Sequence, residues 1–492
     1  MISLLTKSQI RSHEFEYIKQ TNSLLVLMEK AGGGLADILM HYKEPFLFIC
    51  GKGNNGGDGF VAARYLIERN KKVFVVMLSN PEELSNDAKN NFFKIQNNIT
   101  PYILKNVCDR YFLSLLRDSN TVVDCILGTG VSNSLGSFLN ELISVINDAK
   151  KDVVACDIPT GILSDSGVVN DPCIYATETV TFGSYKIGMM LYPAKNFVGK
   201  ITLVDIGLPK YNSNNFLLDV DFVKSQFPVR LNVSHKGSFG KTTIISGSVK
   251  FPGAAILTAK AASIIGSGLT VLCTSQDVFN MVTPAIPEAI HCELNLDAIL
   301  KELNTSTSCI IGPGLTTNKS IIEIVMPLIE KINIPLVLDA DGINMFEGYK
   351  DLLKNLKSKL ILTPHPKEMA RLLNLSVQEV LENKLSITQE LAKELNAIVL
   401  LKGPASIISD GSMNYVSPFA NSALAKGGTG DVLSGFIGGL ISQGTKPDLA
   451  TCIGVFMHGI IGEYISKEKT EYALLPEDLI NYLPKVIKEI MN

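Results

Sequence analysis

Unbroken apolar runs rich in Val, Ile and Leu recur along this chain, each followed by a stretch with helical periodicity. FLFIC (46–50), VFVVML (73–78), TVVDCIL (121–127), VVACDI (153–158), TVTFG (179–183) and ITLVDI (201–206) make up the first series. A strand that is apolar at consecutive positions hides both faces, which a parallel sheet between two helical layers provides. The polar stretch LPKYNSNNF (208–216) interrupts the pattern. It restarts at KTTIISG (241–247) and continues through LTVLCT (269–274), SCIIG (308–312), PLVLDAD (335–341), KLILTPH (359–365) and AIVLLKG (397–403). A chain of 492 residues exceeds what one core usually serves. Two α/β domains are therefore predicted, residues 1–211 and 212–492. The boundary is placed to within about ten residues.

Composition narrows the partners. A net charge of -3 leaves no basic footprint for nucleic acid or an anionic membrane, so an anionic ligand must be held by local groups. Nine cysteines, an odd number with no CxxC and no zinc spacing, read as reduced thiols. The first apolar run breaks at Lys7, and no run of 18 apolar residues follows. A cytoplasmic protein that binds neither nucleic acid nor membrane is expected.

GKGNNGGDG (51–59) follows a strand and opens a helix. It contains GxGxxG at Gly51, Gly53 and Gly56, but the strand VFVVML ends in Ser79-Asn80, without the acid that binds a dinucleotide ribose. Asn54, Asn55 and Asp58 also exceed what a pyrophosphate loop needs. Either this is a tight structural turn, or it is an anion-binding loop whose Asn side chains have a further task. VDCILGTG (123–130) places Asp124 inside an apolar strand, and ACDIPTG (155–161) places Asp157 at a strand end before Thr160. Buried carboxylates need a partner. Asn55, Asp124 and Thr160 offer oxygens at three strand ends, a donor set for a hard cation rather than zinc. The plain alternative for Asp124 is an acid capping a neighbouring turn.

LLTKSQIR (4–11), LMEKAGGGLADIL (27–39), NNGGDG, VDxxLGTG and DIPTG together resemble the NAD(P)H-hydrate epimerases, over roughly residues 1–210. The resemblance implies a Rossmann-like three-layer α/β/α fold. It implies that Asn54, Asn55, Gly56, Gly57 and Asp58, with Gly128, Thr129 and Gly130, hold the substrate. It implies K+ on Asn55, Asp124 and Thr160, and Asp157 facing the reacting ring as catalytic residue. The segment VSNSLGS (131–137) departs from the family by lacking an arginine.

In the second half, NSALAKGGTGDVLSGFIGGLISQG (421–444) sets Gly427, Gly428 and Gly430 before an apolar helix that starts near Asp431. Glycine amides and a helix N-terminus suit a transferring phosphoryl group, and a carboxylate beside them suits a hydroxyl proton. The alternative for Asp431 is an ordinary N-cap. Near a helix N-terminus it is expected to be ionised at neutral pH. GSFGKT (237–242) ends like a P-loop, but His235 stands where the first glycine is required. TPHPKE (363–368) fixes His365 between prolines, as a structural histidine or a ligand contact. KGPAS (402–406) offers Lys402 to a phosphate, or to solvent. Asp339 and Asp341 in LDADGIN (338–344) carry no assigned role.

HKGSFGK (235–241), FPGAAILTAKAA (251–262), IGPGL (311–315), TPHPKE, LKGPAS and ALAKGGTGD resemble, in order, the ribokinase-like NAD(P)H-hydrate dehydratases. That resemblance implies Lys402, Gly403, Pro404, Ala405, Ser406 and Gly430 on the adenine nucleotide, ADP or ATP with Mg2+. It implies Ala255, Gly314, His365 and Asp431 on the hydrated nicotinamide, with Asp431 catalytic. Both halves in this order are the arrangement of bifunctional enzymes that restore NADHX and NADPHX, and a homo-oligomer is expected. Two other readings remain open from the residues alone. One is a ribokinase-like kinase of a small alcohol, such as a thiazole or pyrimidine, with a ligand-binding front domain. The other is a non-catalytic nucleotide-binding scaffold.

Overall fold

The structure, a computed structural model, describes residues 1–21, 25–130, 134–209, 211–354 and 356–491. It divides into two compact units, Ser3–Ser213, and Asn214–Asn492 with Met1–Ile2.

In the first unit, the described residues form a seven-stranded parallel sheet. Its order is Tyr102–Ile103, Val73–Met77, Phe46–Cys50, Thr121–Cys125, Asp152–Cys156, Glu178–Phe182 and Lys200–Val204. The unbroken apolar runs account for the layers. Phe46, Phe48 and Cys50 enter one core while Leu47 and Ile49 enter the other. Helices Leu25–Leu39 and Asn54–Glu68 cover the first face, and Arg110–Asp118 and Ser137–Asp148 the second. The strand order reverses beside Phe46–Cys50, which opens a crevice at the carboxyl ends of that strand and of Thr121–Cys125. A short strand pair, Ile2–Leu5 with Tyr185–Lys186, sets Leu5 opposite Lys186. Strands this short carry too little periodicity to be read from sequence.

The second unit repeats the scheme. Ile290–Glu293, Leu269–Thr274, Lys241–Ile245, Ser308–Ile311, Leu336–Leu338, Leu360–Leu362 and Ile398–Leu401 are parallel neighbours in that order. Ile407–Ser409 and Asn414–Val416 add antiparallel strands, and Asn215–Leu217 pairs parallel with the last. Ile244 and Ile310 face a core built with helices Pro252–Ile265, Thr429–Ser442 and Pro447–Glu468. Ile245 and Ile311 face a second core with Lys319–Ile329 and Lys384–Leu395. Pro447–Glu468 is long and apolar enough to cross a membrane by length and composition, but 67% of its apolar window is buried inside the unit. All nine cysteines are free, and only Cys108 is exposed.

Candidate active sites

A cavity of about 650 Å³ lies at the reversal point of the first sheet. Asn54, Asn55, Asp58, Gly128, Thr129, Gly130 and Asp157 line it. Two loops meet there because their backbones touch: a Cβ on Gly51 would stand 2.0 Å from the Ile126 carbonyl oxygen. NNGGDG is not a loop, since the helix Asn54–Glu68 begins at its first residue and has no side-chain cap at Gly53. Gly56 and Gly57 lie in the first turn of that helix. Both are buried and absent from the cavity wall, and a Cβ on Gly56 would stand 2.0 Å from the Gly51 carbonyl oxygen.

Asp124 is fully buried beneath this floor. Its carboxylate accepts from the amides of Ile126 (3.1 Å) and Thr160 (2.8 Å) and from the Thr160 hydroxyl (2.8 Å). Thr160 Oγ1 in turn accepts from the Leu127 amide at 3.1 Å. Asp124 thus does cap neighbouring turns and ties Thr160 to the 126–130 segment. Burial pushes its carboxyl up to about 6 against these hydrogen bonds. The side-chain amide of Asn55 is buried with neither Oδ1 nor Nδ2 hydrogen-bonded, and a Cβ on Gly128 would stand 3.3 Å from that oxygen. An orphaned buried carbonyl oxygen beside a buried carboxylate and a hydroxyl fits a monovalent cation. Of the segment 131–137 that lacks the family's arginine, residues 131–133 lie outside the described residues.

Asp157 follows its strand at φ 67°, a left-handed conformation that Asp tolerates better than most residues. Lys186 makes an ion pair with it, and Thr181 Oγ1 (3.3 Å) and the Phe182 amide (3.4 Å) also donate to its Oδ1. Lys186 was not singled out in the sequence. Its one signal was a lysine at the head of the apolar run Ile187-Gly188-Met189-Met190, where a solvated side chain has no place. Glu14 lines the same cavity from the helix Lys7–Thr21.

In the second unit, Asp431 lies in the first turn of the helix Thr429–Ser442. It is not the N-cap: Gly428 holds that position at φ 97°, with no side-chain cap bond. Burial and the Asp339 carboxylate push Asp431 up to about 7, against Lys402. The expectation that Asp431 is ionised at neutral pH is thus met only in part, because desolvation outweighs the helix N-terminus. Lys402 is not a solvated lysine. Its Nζ donates to Asp339 Oδ1 at 2.6 Å, and the other oxygen of Asp339 accepts from Ser434 Oγ at 2.7 Å. Burial presses the Lys402 ammonium down, yet Asp339, Glu368 and Asp431 together lift it above the ordinary lysine value. A Cβ on Gly430 would stand 3.5 Å from Lys402 Nζ, so the glycine turn and the lysine meet. Asp341 Oδ2 accepts from the Thr316 amide at 2.8 Å, which pins the loop containing Gly314.

Three further residues named from the sequence have partners within the protein. His365 is the N-cap of Pro366–Leu373, with Nδ1 accepting from the amides of Lys367 (3.1 Å) and Glu368 (3.2 Å). Burial and Lys402 lower its basicity, which suits that acceptor role. Ala255 is fully buried, and a Cβ on Gly247 would stand 2.8 Å from its methyl. Ala405 is buried at φ 53° with its amide bonded to the Phe419 carbonyl (3.0 Å), so it shapes the turn. Gly403 and Pro404 are exposed, and Ser406 Oγ bonds back to Gly403. His458, unmarked by the sequence, contacts the Thr429 carbonyl through Nε2 at 3.0 Å, and burial lowers it to about 4.

Comparison with known proteins follows these two sites. A family model described as NAD(P)H-hydrate dehydratase matches residues 242–485, and one described as YjeF-related protein N-terminus matches residues 24–188. The bifunctional NAD(P)H-hydrate repair enzyme of Moorella thermoacetica is 34% identical, over 95% of this chain and 93% of its own. The ADP/ATP-dependent NAD(P)H-hydrate dehydratase of Bacillus subtilis, co-crystallised with ATP and Mg2+, is 30% identical with a TM-score of 0.50. That similarity covers 56% of this chain and 98% of the dehydratase. A ribokinase-like superfamily protein from Enterococcus faecalis is 25% identical with a TM-score of 0.51, over 57% and 98% of the two chains. Fold and sites define a two-domain α/β enzyme whose second half is ribokinase-like. The chain belongs to the family of the bifunctional NAD(P)H-hydrate repair enzymes.

Proposed function

We propose that this enzyme restores NADH and NADPH from their hydrates, the first unit interconverting the two C6 epimers and the second dehydrating the S form with ADP or ATP. The observation that carries the dehydratase half is Asp431 held at about 7, in the first turn after Gly428 and beside Lys402. A hydroxide is a poor leaving group, so the C6 hydroxyl is phosphorylated first. Asp431 accepts its proton, the amides of Gly428, Thr429 and Gly430 face the phosphoryl group, and Lys402 supplies positive charge. Loss of phosphate from C6 and of a proton from C5 then restores the dihydropyridine. Asp339 holds Lys402, and Gly403, Pro404 and Ser406 border the nucleotide. Magnesium arrives with the nucleotide phosphates, which carry much of its coordination.

In the first unit Asn54, Asp58, Gly128, Thr129 and Gly130 hold the hydrate, and Asp157 handles protons at C6. Asn55, Asp124 and Thr160 would hold K+, which supplies charge that fixes the strand-end loops. The test gives the enzyme an equilibrated mixture of hydrated NADH epimers with ADP or ATP, and follows NADH absorbance and free phosphate. Complete recovery of NADH with one phosphate released per NADH is expected. Recovery that stalls when the S form is gone would remove the epimerase. A stable phosphorylated product would point to the small-alcohol kinase instead.

A further inference from the structure

The first-unit cavity holds more ionisable groups than a single acid–base residue requires. Glu14, Asp58, Glu83 and Asp157 line it together with Arg11, His13, Lys52 and Lys186. Lys186 is placed to serve one of the four carboxyls, Asp157. An ammonium has three N–H donors, and those of Lys186 go to Asp157, to Thr181 Oγ1 (2.8 Å) and to the Phe182 carbonyl (3.1 Å). Its side chain is 2% exposed. Lys186 therefore has no donor left for a ligand; Asp157 is the one carboxylate it bonds, and its charge acts on Glu14 and Asp58 only through space. Its strand is fixed by pairing with Ile2–Leu5, and the helix that follows that strand carries Glu14.

Asp58 is the counterpart. Among the described residues no donor engages its carboxyl, although Asp157 receives three. It projects from the first helical turns of Asn54–Glu68 into the same space. The groups that face it are Glu14 from the first helix, Asp157 and Lys186 from the far strands, and the buried thiol of Cys156 beneath. Arg11 lies nearer Glu14 and moderates it. Two carboxyls in one desolvated space, one carrying a counter-charge and one without, divide the proton unequally.

We propose that the first unit works with a divided pair: Lys186 is a positioning residue that holds Asp157 as the proton acceptor, and Asp58 carries the proton given to the departing hydroxyl. This rests on the epimerase activity proposed for that unit. Asp58 transfers its proton to the C6 hydroxyl as the C6–O bond breaks. Water leaves, and the ring-nitrogen lone pair closes an iminium. Water then adds to the other face of C6 while Asp157 accepts a proton, which returns to Asp58 through solvent. One water leaves and one enters, and no oxidant or reductant is involved. Burial, then the charges of Asp157 and Glu14, hold the Asp58 carboxyl well above the ordinary range, in keeping with a proton donor.

The test uses the full chain and one hydrate epimer without nucleotide, following formation of the other by chromatography. Asp58→Asn keeps the shape of the side chain and has no proton to give, so kcat should fall by about 10²–10⁴-fold. Wild-type epimerisation should decline as pH rises through the raised Asp58 titration, and Asp58→Asn should lose that limb. Lys186→Met should lower kcat with KM little changed, and Lys186→Arg should recover part of the loss because it restores the charge. Retention of the first unit's cooperative transition in thermal unfolding of the full chain reports that each variant is folded. Unchanged kcat and pH limb in Asp58→Asn, or a Lys186→Met effect confined to KM, would overturn the division of roles while leaving the epimerase standing. A folded Lys186→Met chain with wild-type kcat would do the same. A wild-type chain that does not interconvert the epimers overturns both.

Discussion

Replacing Asp431 by Asn separates a catalytic base from a structural acid through two opposite effects. Asp431 is held at about 7 against its ordinary 3.8, mainly by burial. The folded chain therefore binds this proton more tightly than the unfolded chain. Stability from this group is greatest below 3.8, falls as pH rises, and levels off above about 7. At about 1.4 kcal/mol per tenfold change in proton affinity, the full difference is on the order of 4 kcal/mol. Asn is uncharged at every pH and escapes this cost. Asp431→Asn should thus be more stable than wild type at pH 8, by about 1–4 kcal/mol, and nearly equal near pH 4. The measurement is urea unfolding of the full chain at both pH values, with the second unit's transition assigned by its shift with ADP. The same variant should lose about 10²–10⁴-fold in nucleotide-dependent recovery of NADH while epimerisation persists. Wild-type dehydration should in turn rise about tenfold between pH 6 and 8, as the base ionises through about 7. Near-normal dehydration by the variant, or a stability loss equal at both pH values, would refute the base and leave a structural acid.

Asp124→Ala should abolish K+-dependent protection of the first unit and its epimerisation, while dehydration of pure S epimer continues; chromatography of the two epimers reads both. Asp339→Asn should leave Lys402 buried without its charged partner, costing about 3–5 kcal/mol and weakening ADP binding measured by calorimetry, with epimerisation intact. His458, lowered from 6.5 to about 4, adds stability that is complete above 6.5 and is lost as pH falls towards 4. His458→Phe should remove that acid sensitivity while costing about 0.5–1.5 kcal/mol at pH 8, through the lost hydrogen bond to the Thr429 carbonyl, as seen in thermal melts.

The sheets were legible because burial on both faces writes itself as consecutive apolar residues, so Phe46–Cys50 and Ser308–Ile311 stand out unaided. The glycine clusters were legible too, but not what each glycine does. Gly56 reads like a phosphate-loop glycine, yet it lies inside a helix and makes room for the Gly51 carbonyl. Backbone approach of this kind depends on a contact five residues away that no local pattern encodes. His365 shows the same limit. Its flanking prolines announced rigidity, but whether Nδ1 meets a ligand or the next turn's amides is settled by a rotamer. The partners of charged groups were least legible. Asp339 and Lys402 are 63 residues apart, and Asp157 and Lys186 are 29 apart. Pairing across strands is fixed by sheet order, which composition and periodicity do not specify.

Each unit has a carboxyl whose proton affinity is raised, Asp431 to about 7 and Asp58 well above the ordinary range. Each site contains one buried lysine among several acids. In the second unit the Lys402 ammonium is bonded to Asp339, and it reaches Asp431 only as a weaker through-space charge. A lysine bonded directly to Asp431 would favour the ionised form and leave a feeble base. The separate Asp339 frees the reacting carboxyl from that compensation. In the first unit Lys186 is committed to Asp157, and Asp58 is the uncompensated member. In both sites burial is the main cause that raises the carboxyl the lysine does not bond, and the lysine, committed to another partner, lowers it only through space.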